Sequence, residues 1–253
     1  MASPFETGAT QMSSWEQMVQ ETLRSPEYEP GSFDVYPLVG RIATGKKTIR
    51  GLLTEWLQRD GYVVEFASTG ARLRQHQQES TGRRKMLGHY QRDPQVDKQL
   101  DLETARWMID PDNKGKILIP AGRLLGYSTK RLKDISANLG LQLPGNLHPI
   151  LLEADEQVRM QREYEILHED DPTLTREQSD RLMLDRERGE DITFKTIYPD
   201  LMKTDWYDPN MVDERNNRIF ELSPIDTSEH SAGFSARKIY EYIKATTVVE
   251  PIR

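Results

Sequence analysis

The order of elements along this chain predicts an α/β fold, a three-layer α/β/α domain on a parallel five-stranded sheet. Short apolar runs recur through the sequence: "FDVYPLV" (33–39), "YVVEF" (62–66), "KILIP" (116–120), "HPILLEA" (148–154) and "RIFELS" (218–223). Each has the length and composition of a strand. Longer stretches with helical spacing separate them, and that alternation is met by a parallel sheet with helices on both faces.

The first element is an N-terminal extension, residues 1–30, in which Ser14, Trp15, Met18 and Leu23 mark a short amphipathic helix after a polar tail. This helix could dock a protein partner. The main domain, 31–253, starts with the run at 33–39, where Pro37 removes a ladder donor from what should be a central strand. A helix follows from Thr48 to Arg59, with Ile49, Leu52, Leu53, Trp56 and Leu57 on one face. Two connections are too long for simple crossovers, and 67–115 and 165–215 therefore read as helical insertions standing over one edge of the sheet.

Composition narrows the function. The chain has 253 residues and a formal charge of -7, which disfavours a broad grip on nucleic acid or on an anionic membrane. It contains no cysteine, so disulfides, thiol catalysis and thiolate-held zinc are excluded. Its five histidines form no close ligand pair, and no metal site is expected from protein ligands alone. No run of 18 apolar residues and no apolar leader is present, so a soluble cytoplasmic protein is expected.

One motif carries chemistry. In "VGRIATGKKTI" an apolar run leads to Gly40, four residues intervene, Gly45 and Lys46 follow, and a helix begins at once. In that order loop amides and a helix N-terminus face a polyphosphate, and Lys46 can reach its outer phosphates. Lys47 stands where a Ser or Thr is usual, and Thr48, one residue on, is rotated about 100° around the helix.

The stretch from Gly40 to Thr48 resembles the GxxxxGKGT loop of nucleoside monophosphate kinases of the adenylate kinase type, with Lys47 in place of a glycine. Downstream, "FASTGARLR" (66–74) resembles the STGDxxR segment that opens their monophosphate-binding insertion. "RDPQVDKQLD" (92–101) and "KILIPAGRLLGY" (116–127) resemble a motif pair of the archaeal-type cytidylate kinases; Ala121 stands where a Glu is common there, as Ala71 in the preceding segment replaces the usual Asp. "ILLEADEQVRMQRE" (150–163) and "SPIDTSEHS" (223–231) are similar to the strand and helix before the lid and to the last strand.

The resemblance implies a P-loop NTPase fold, with 67–115 as monophosphate-binding insertion and 165–215 as lid. It also implies ATP and Mg2+ as cofactors, a nucleoside monophosphate such as CMP or dCMP as acceptor, and a set of roles. Lys46, Arg123, Arg162 and Arg186 would be catalytic. Gly40, Ala43, Thr44, Gly45, Lys46, Lys47, Thr48, Arg181 and Arg188 would bind ATP, and Ser68, Arg74, Asp97, Asp101 and Arg123 the monophosphate.

Such chemistry needs alignment and charge neutralisation rather than a strong base, because the acceptor is already an anionic oxygen. Arginines suit it, since a guanidinium can bridge two phosphates. Plainer readings stay open: Arg159 and Arg162 can pair with Glu156 and Glu163 on a solvated helix, and Arg186 and Arg188 with the acids around them. Asp97 and Asp101 can serve the helix dipole rather than a base, and Asp226 can be a strand-end turn. Trp56 and Trp107 are expected to fill the core. The rival function is a degenerate kinase domain that binds nucleotide or serves as a structural module.

Overall fold

The computed structural model describes residues 13–68, 93–199 and 205–252. Its strands pair in parallel throughout, and three of the apolar segments are each cut in two by a proline. The first segment gives β1 (Phe33–Val35) and β2 (Leu38–Val39), interrupted at Tyr36 and Pro37. After β3 (Val64–Glu65), the next gives β4 (Ile117–Leu118) and β5 (Ala121–Gly122), interrupted at Ile119 and Pro120. The third gives β6 (Gly145–Leu147) and β7 (Ile150–Glu153), interrupted at His148 and Pro149. β8 is Ile225–Asp226.

Hydrogen bonding orders these as β3-β4-β1-β6 and β5-β2-β7-β8, two four-stranded sheets where a single five-stranded one was expected. Proline is the cause. Each of the three shared segments loses an N–H donor at the same level, which divides the ladder without diverting the chain. Bonds still bridge the break: Tyr36 N donates to Leu118 O, Leu38 N to Pro120 O and Ile150 N to Pro37 O, each at 2.8 Å.

The run at 218–223 is not a strand. Ile219 and Phe220 are fully buried in the core, Ile219 N donates to Met211 O at 2.8 Å, and the last strand starts only after Pro224. β6 was missed because "GNL" has no apolar alternation. Its Gly145 is required instead by proximity: a Cβ there would lie 2.6 Å from the Phe33 ring and 2.9 Å from Met108 O.

Two helical layers cover the strands. On one face α2 (Lys46–Arg59) packs against α7 (Ala232–Thr246), and Ile49, Leu53, Leu57, Ile239 and Ile243 meet Leu38, Ile117 and Ile150. Trp56 belongs to this interface, edge-on to Tyr240 and under the Arg237 guanidinium. On the other face lie α1 (Ser14–Leu23), α3 (Pro94–Met108) and α4 (Leu125–Leu139), with Trp107 packed against that core as expected. α5 (Glu156–Asp170) packs on α6 (Arg176–Ile197), which also meets α3. No helix among the described residues is long and apolar enough to cross a membrane.

Two expected boundaries shift. The N-terminal helix is part of the core rather than an extension: a capping box between Ser13 and Glu16 starts it, and Trp15, Met18 and Val19 are buried against α3 and α4. The apolar face expected to receive a partner is therefore already covered. The 165–215 insertion is likewise tied down at its far end, because Phe194 and Tyr198 join the same core and Tyr198 Oη donates to Asp101 at 3.1 Å. Of the 67–115 insertion, residues 69–92, and with them Ala71 and Arg74, lie outside the described residues.

At the strands' N-terminal side, the fully buried Asp34 carboxylate holds the C-terminal segment. It accepts from Thr247 Oγ1 at 2.6 Å, Val248 N at 2.8 Å and Asn146 Nδ2 at 3.0 Å. That clasp fixes α7, and through it α2 and the loop before it. Because Trp15 is buried to 2% exposure, Trp15→Ala is expected to lower the unfolding free energy by about 3–5 kcal/mol, measured by urea denaturation. A change within about 0.5 kcal/mol would mean that α1 is a detached extension after all.

Candidate phosphate-binding site

The parallel strands bring their C-terminal ends to one edge, and each following segment contributes there: Gly40 after β2, Ser68 beyond β3, Arg123 after β5, Asp155 beyond β7 and Thr227 after β8. The strand central to the order delivers the glycine loop, the position where open α/β sheets bind ligands. Gly40 is needed because the loop presses on β7. A Cβ at that position would sit 2.5 Å from Leu152 O and 2.8 Å from Thr44 Oγ1. Gly45 has the left-handed φ of 84°, which turns the chain into α2, and Ala43 is held at φ 59°.

This geometry leaves a row of donors. Among the described residues, the amides of Ile42 through Thr48 donate to no other group. They sit at the N-terminus of α2, whose dipole favours an anion. Lys46 lies in the same concavity, where its Nζ donates to Gly40 O at 2.7 Å, Arg41 O at 2.5 Å and Thr44 Oγ1 at 3.2 Å. Burial, and then the Arg123, Arg186 and Arg159 guanidiniums, push the Lys46 ammonium down to about 7, while Glu187 works the other way. Lys47 and Thr48 are exposed on the first turn of α2.

Arginines from other elements meet the loop in two ways. Arg162 braces it from below: Nη1 donates to Ala43 O at 3.3 Å and to Thr227 Oγ1 at 3.0 Å, and Nη2 to Thr227 O at 2.5 Å. Thr227 Oγ1 donates in turn to Thr44 O at 3.3 Å or Glu153 O at 3.1 Å, so β8, α5 and the loop form one unit. The remaining guanidiniums are held by carboxylates of α5 and α6. Arg159 donates to Ile42 O at 3.4 Å and to Glu187 at 2.6 Å. Arg123 donates to Tyr207 Oη at 2.8 Å and pairs with Glu190 and, at 3.3 Å, Asp191. Arg186 pairs with Glu190 at 3.0 Å and Glu163 at 3.6 Å.

Arg181 and Arg188, expected to bind ATP from a lid, face away from the loop. Helical periodicity puts Met183, Arg186, Glu187 and Glu190 on the inner face of α6, and Arg181 and Arg188 lie on its exposed side. Arg181 instead meets Asp185 at 3.9 Å in water. Asp97 is buried in the first turn of α3, Asp101 is engaged by Tyr198, and Asp226 is an exposed strand end that accepts from Ser228 N at 2.7 Å. Residues that pattern reading missed include Arg41, whose guanidinium lies over the Tyr207 ring and 3.9 Å from Glu187, and Thr227. Arg41 was legible as a cation inside the motif and Thr227 as part of the segment "SPIDTSEHS", though with no role assigned to it; nothing in sequence marked Tyr207.

No protein-family model and no curated relative matches the chain. Among solved structures it is similar in fold to the protein APE1195, with a TM-score of 0.50 and 20% identity over 88% of this chain and 99% of that one. A looser overlap, TM-score 0.45 and 13% identity over 85% of this chain and 99% of that one, links it to the Mycobacterium tuberculosis APS kinase CysC, solved in complex with AMPPNP and APS. A gluconokinase from Sinorhizobium meliloti 1021 overlaps at TM-score 0.41 and 11% identity, over 85% of this chain and 98% of that one.

The depressed Lys46 sets a pH signature. With its pKa lowered to about 7, Lys46 gives up its proton in the free protein as pH rises above that value, whereas a bound polyphosphate is expected to move it back toward its ordinary value near 10.5. Binding between those limits takes up a proton, and affinity falls as pH rises through that window. Calorimetry with ATP at pH 8.5, in buffers of different ionisation enthalpy, is expected to show uptake approaching one proton that Lys46→Ala removes. Uptake equal in both proteins would place the protonation elsewhere. Gly40→Ala, with backbone oxygen in the way, is expected to weaken ATP binding at least about tenfold.

Proposed function

We propose that this chain is an ATP-dependent phosphotransferase of the P-loop kinase type, acting on a nucleoside monophosphate, CMP or dCMP. The observation that carries the proposal is the loop itself: amides from Ile42 to Thr48 that donate to no described residue lie with the Lys46 ammonium at the head of α2, where cations from three other segments also arrive. Amides and Lys46 would hold the donor phosphates, while Arg123, Arg159 and Arg186 would take the charge that spreads between donor and acceptor as the phosphoryl group passes.

Arg162 acts through the loop as a positioning residue. Acceptor recognition is assigned to Ser68, Arg74, Asp97 and Asp101, a carboxylate among them accepting from the exocyclic amine of cytosine. Magnesium, carried in on the nucleotide, would supply further neutralisation of the donor phosphates beside Lys46 and the loop amides. A cytoplasmic setting is part of the same proposal.

One observation favours a second reading, a degenerate domain that binds nucleotide without transfer. Arg123, Arg159 and Arg186 all rest in ion pairs with carboxylates of α5 and α6. Turnover separates the two. With ATP, magnesium and each common nucleoside monophosphate in turn, the kinase reading expects ADP and a diphosphate to appear with CMP or dCMP, and Lys46→Ala to reduce kcat at least about 10³-fold. ATP binding with no transfer to any acceptor would leave the second reading standing.

A further inference from the structure

Glu187 and Glu190 stand one turn apart on α6, with side chains 9% and 4% exposed, and both carboxylates are taken up by guanidiniums gathered around the phosphate loop. Glu187 takes Arg159 at 2.6 Å and approaches Arg41 at 3.9 Å. Glu190 takes Arg123 and, at 3.0 Å, Arg186, and Asp191 adds a contact of 3.3 Å to Arg123. Carboxylate and phosphate oxygens make the same demand on a guanidinium, a fork of parallel N–H donors. The same N–H groups cannot satisfy both at full strength.

We propose that Glu187 and Glu190 are an internal anion: they occupy the guanidiniums that a polyphosphate requires, and the nucleotide binds by displacing them. The inference rests on the reading of the loop as a polyphosphate site. It makes these two acids the determinants of affinity and of selection, since only a ligand with several phosphate charges can outbid two enclosed carboxylates. The apparent affinity is lowered by the small fraction of molecules in which α6 has released its partners.

A purely structural pair would behave differently. Ion pairs that persist in the complex stabilise free and bound protein alike, so removing them changes ligand affinity only through the lost repulsion between carboxylate and phosphate. Pairs that must open before binding stabilise only the free protein. Neutralising them then destabilises the free state, by taking a carboxylate partner from each enclosed guanidinium, and strengthens binding.

The test measures tripolyphosphate and ATP binding by calorimetry, and thermal unfolding with and without each, for the full chain and for Glu187→Gln, Glu190→Gln, Asp191→Asn and Lys46→Ala. Expected are a lower Tm without ligand in the two glutamine variants, a larger ligand-induced rise in Tm, and a Kd for tripolyphosphate about tenfold lower. Asp191→Asn, at a half-exposed position that folding should tolerate, is expected to show the same direction at about two- to threefold. An unchanged or higher Kd in these variants, with Lys46→Ala still weakening binding, would overturn the internal anion while leaving the loop's role intact. Binding of neither probe to any form would overturn both.

Discussion

Cations gathered at one edge of a sheet repel one another, and the architecture around the loop answers that constraint. Arg41, Lys46, Arg123, Arg159 and Arg186 arrive from the loop, β5, α5 and α6; burial first, and then the field of Arg123, Arg186 and Arg159, depresses the Lys46 ammonium. Without anions nearby, such a cluster would destabilise the free protein strongly. α6 supplies the anions, Glu187 and Glu190, on the face that also carries Met183 and Thr193 inward. The packing of α6 through Phe194 and Tyr198 is therefore coupled to the electrostatics of the loop: one helix serves both.

The strands contribute position rather than charge. Pro37, Pro120 and Pro149 fall at one level of adjacent segments, so the hydrogen-bond ladder is weakened across a line through the sheet's middle, while its C-terminal part, β5-β2-β7-β8, presents the loops. Gly40 against the Leu152 carbonyl locks the glycine loop to β7, and Arg162 with Thr227 locks it to β8. A donor array of this kind is useful only if it does not reorganise when an anion arrives, and both locks act on the loop backbone itself.

Much of this was legible in sequence because local rules govern it. Alternating runs and helical periodicity revealed the α/β order, and the spacing of Gly40, Gly45 and Lys46 located the loop, since glycine positions report backbone geometry directly. Where tertiary contacts decide, pattern failed. Ile219 and Phe220 look like a strand but serve the core, "GNL" looks like a loop but pairs with β1, and Trp15 in an apparent extension is buried. Charge-rich α6 is the instructive case: Arg181, Arg186 and Arg188 look alike in sequence, yet the helix turn sends only Arg186 inward. Thr227 and Tyr207 touch the site through contacts that span the chain, and no local pattern encodes those.

The central claim is that phosphate oxygens and the carboxylates of α6 contend for the same guanidiniums at the loop. A crystal structure of the protein with a non-hydrolysable ATP analogue tests it most directly. The account predicts the phosphates on the amides from Ile42 to Thr48, with the 2.6 Å contact between Arg159 and Glu187 broken. Phosphates bound in the loop with that pair and the Arg123–Glu190 pair intact, or nucleotide bound elsewhere on the molecule, would contradict it.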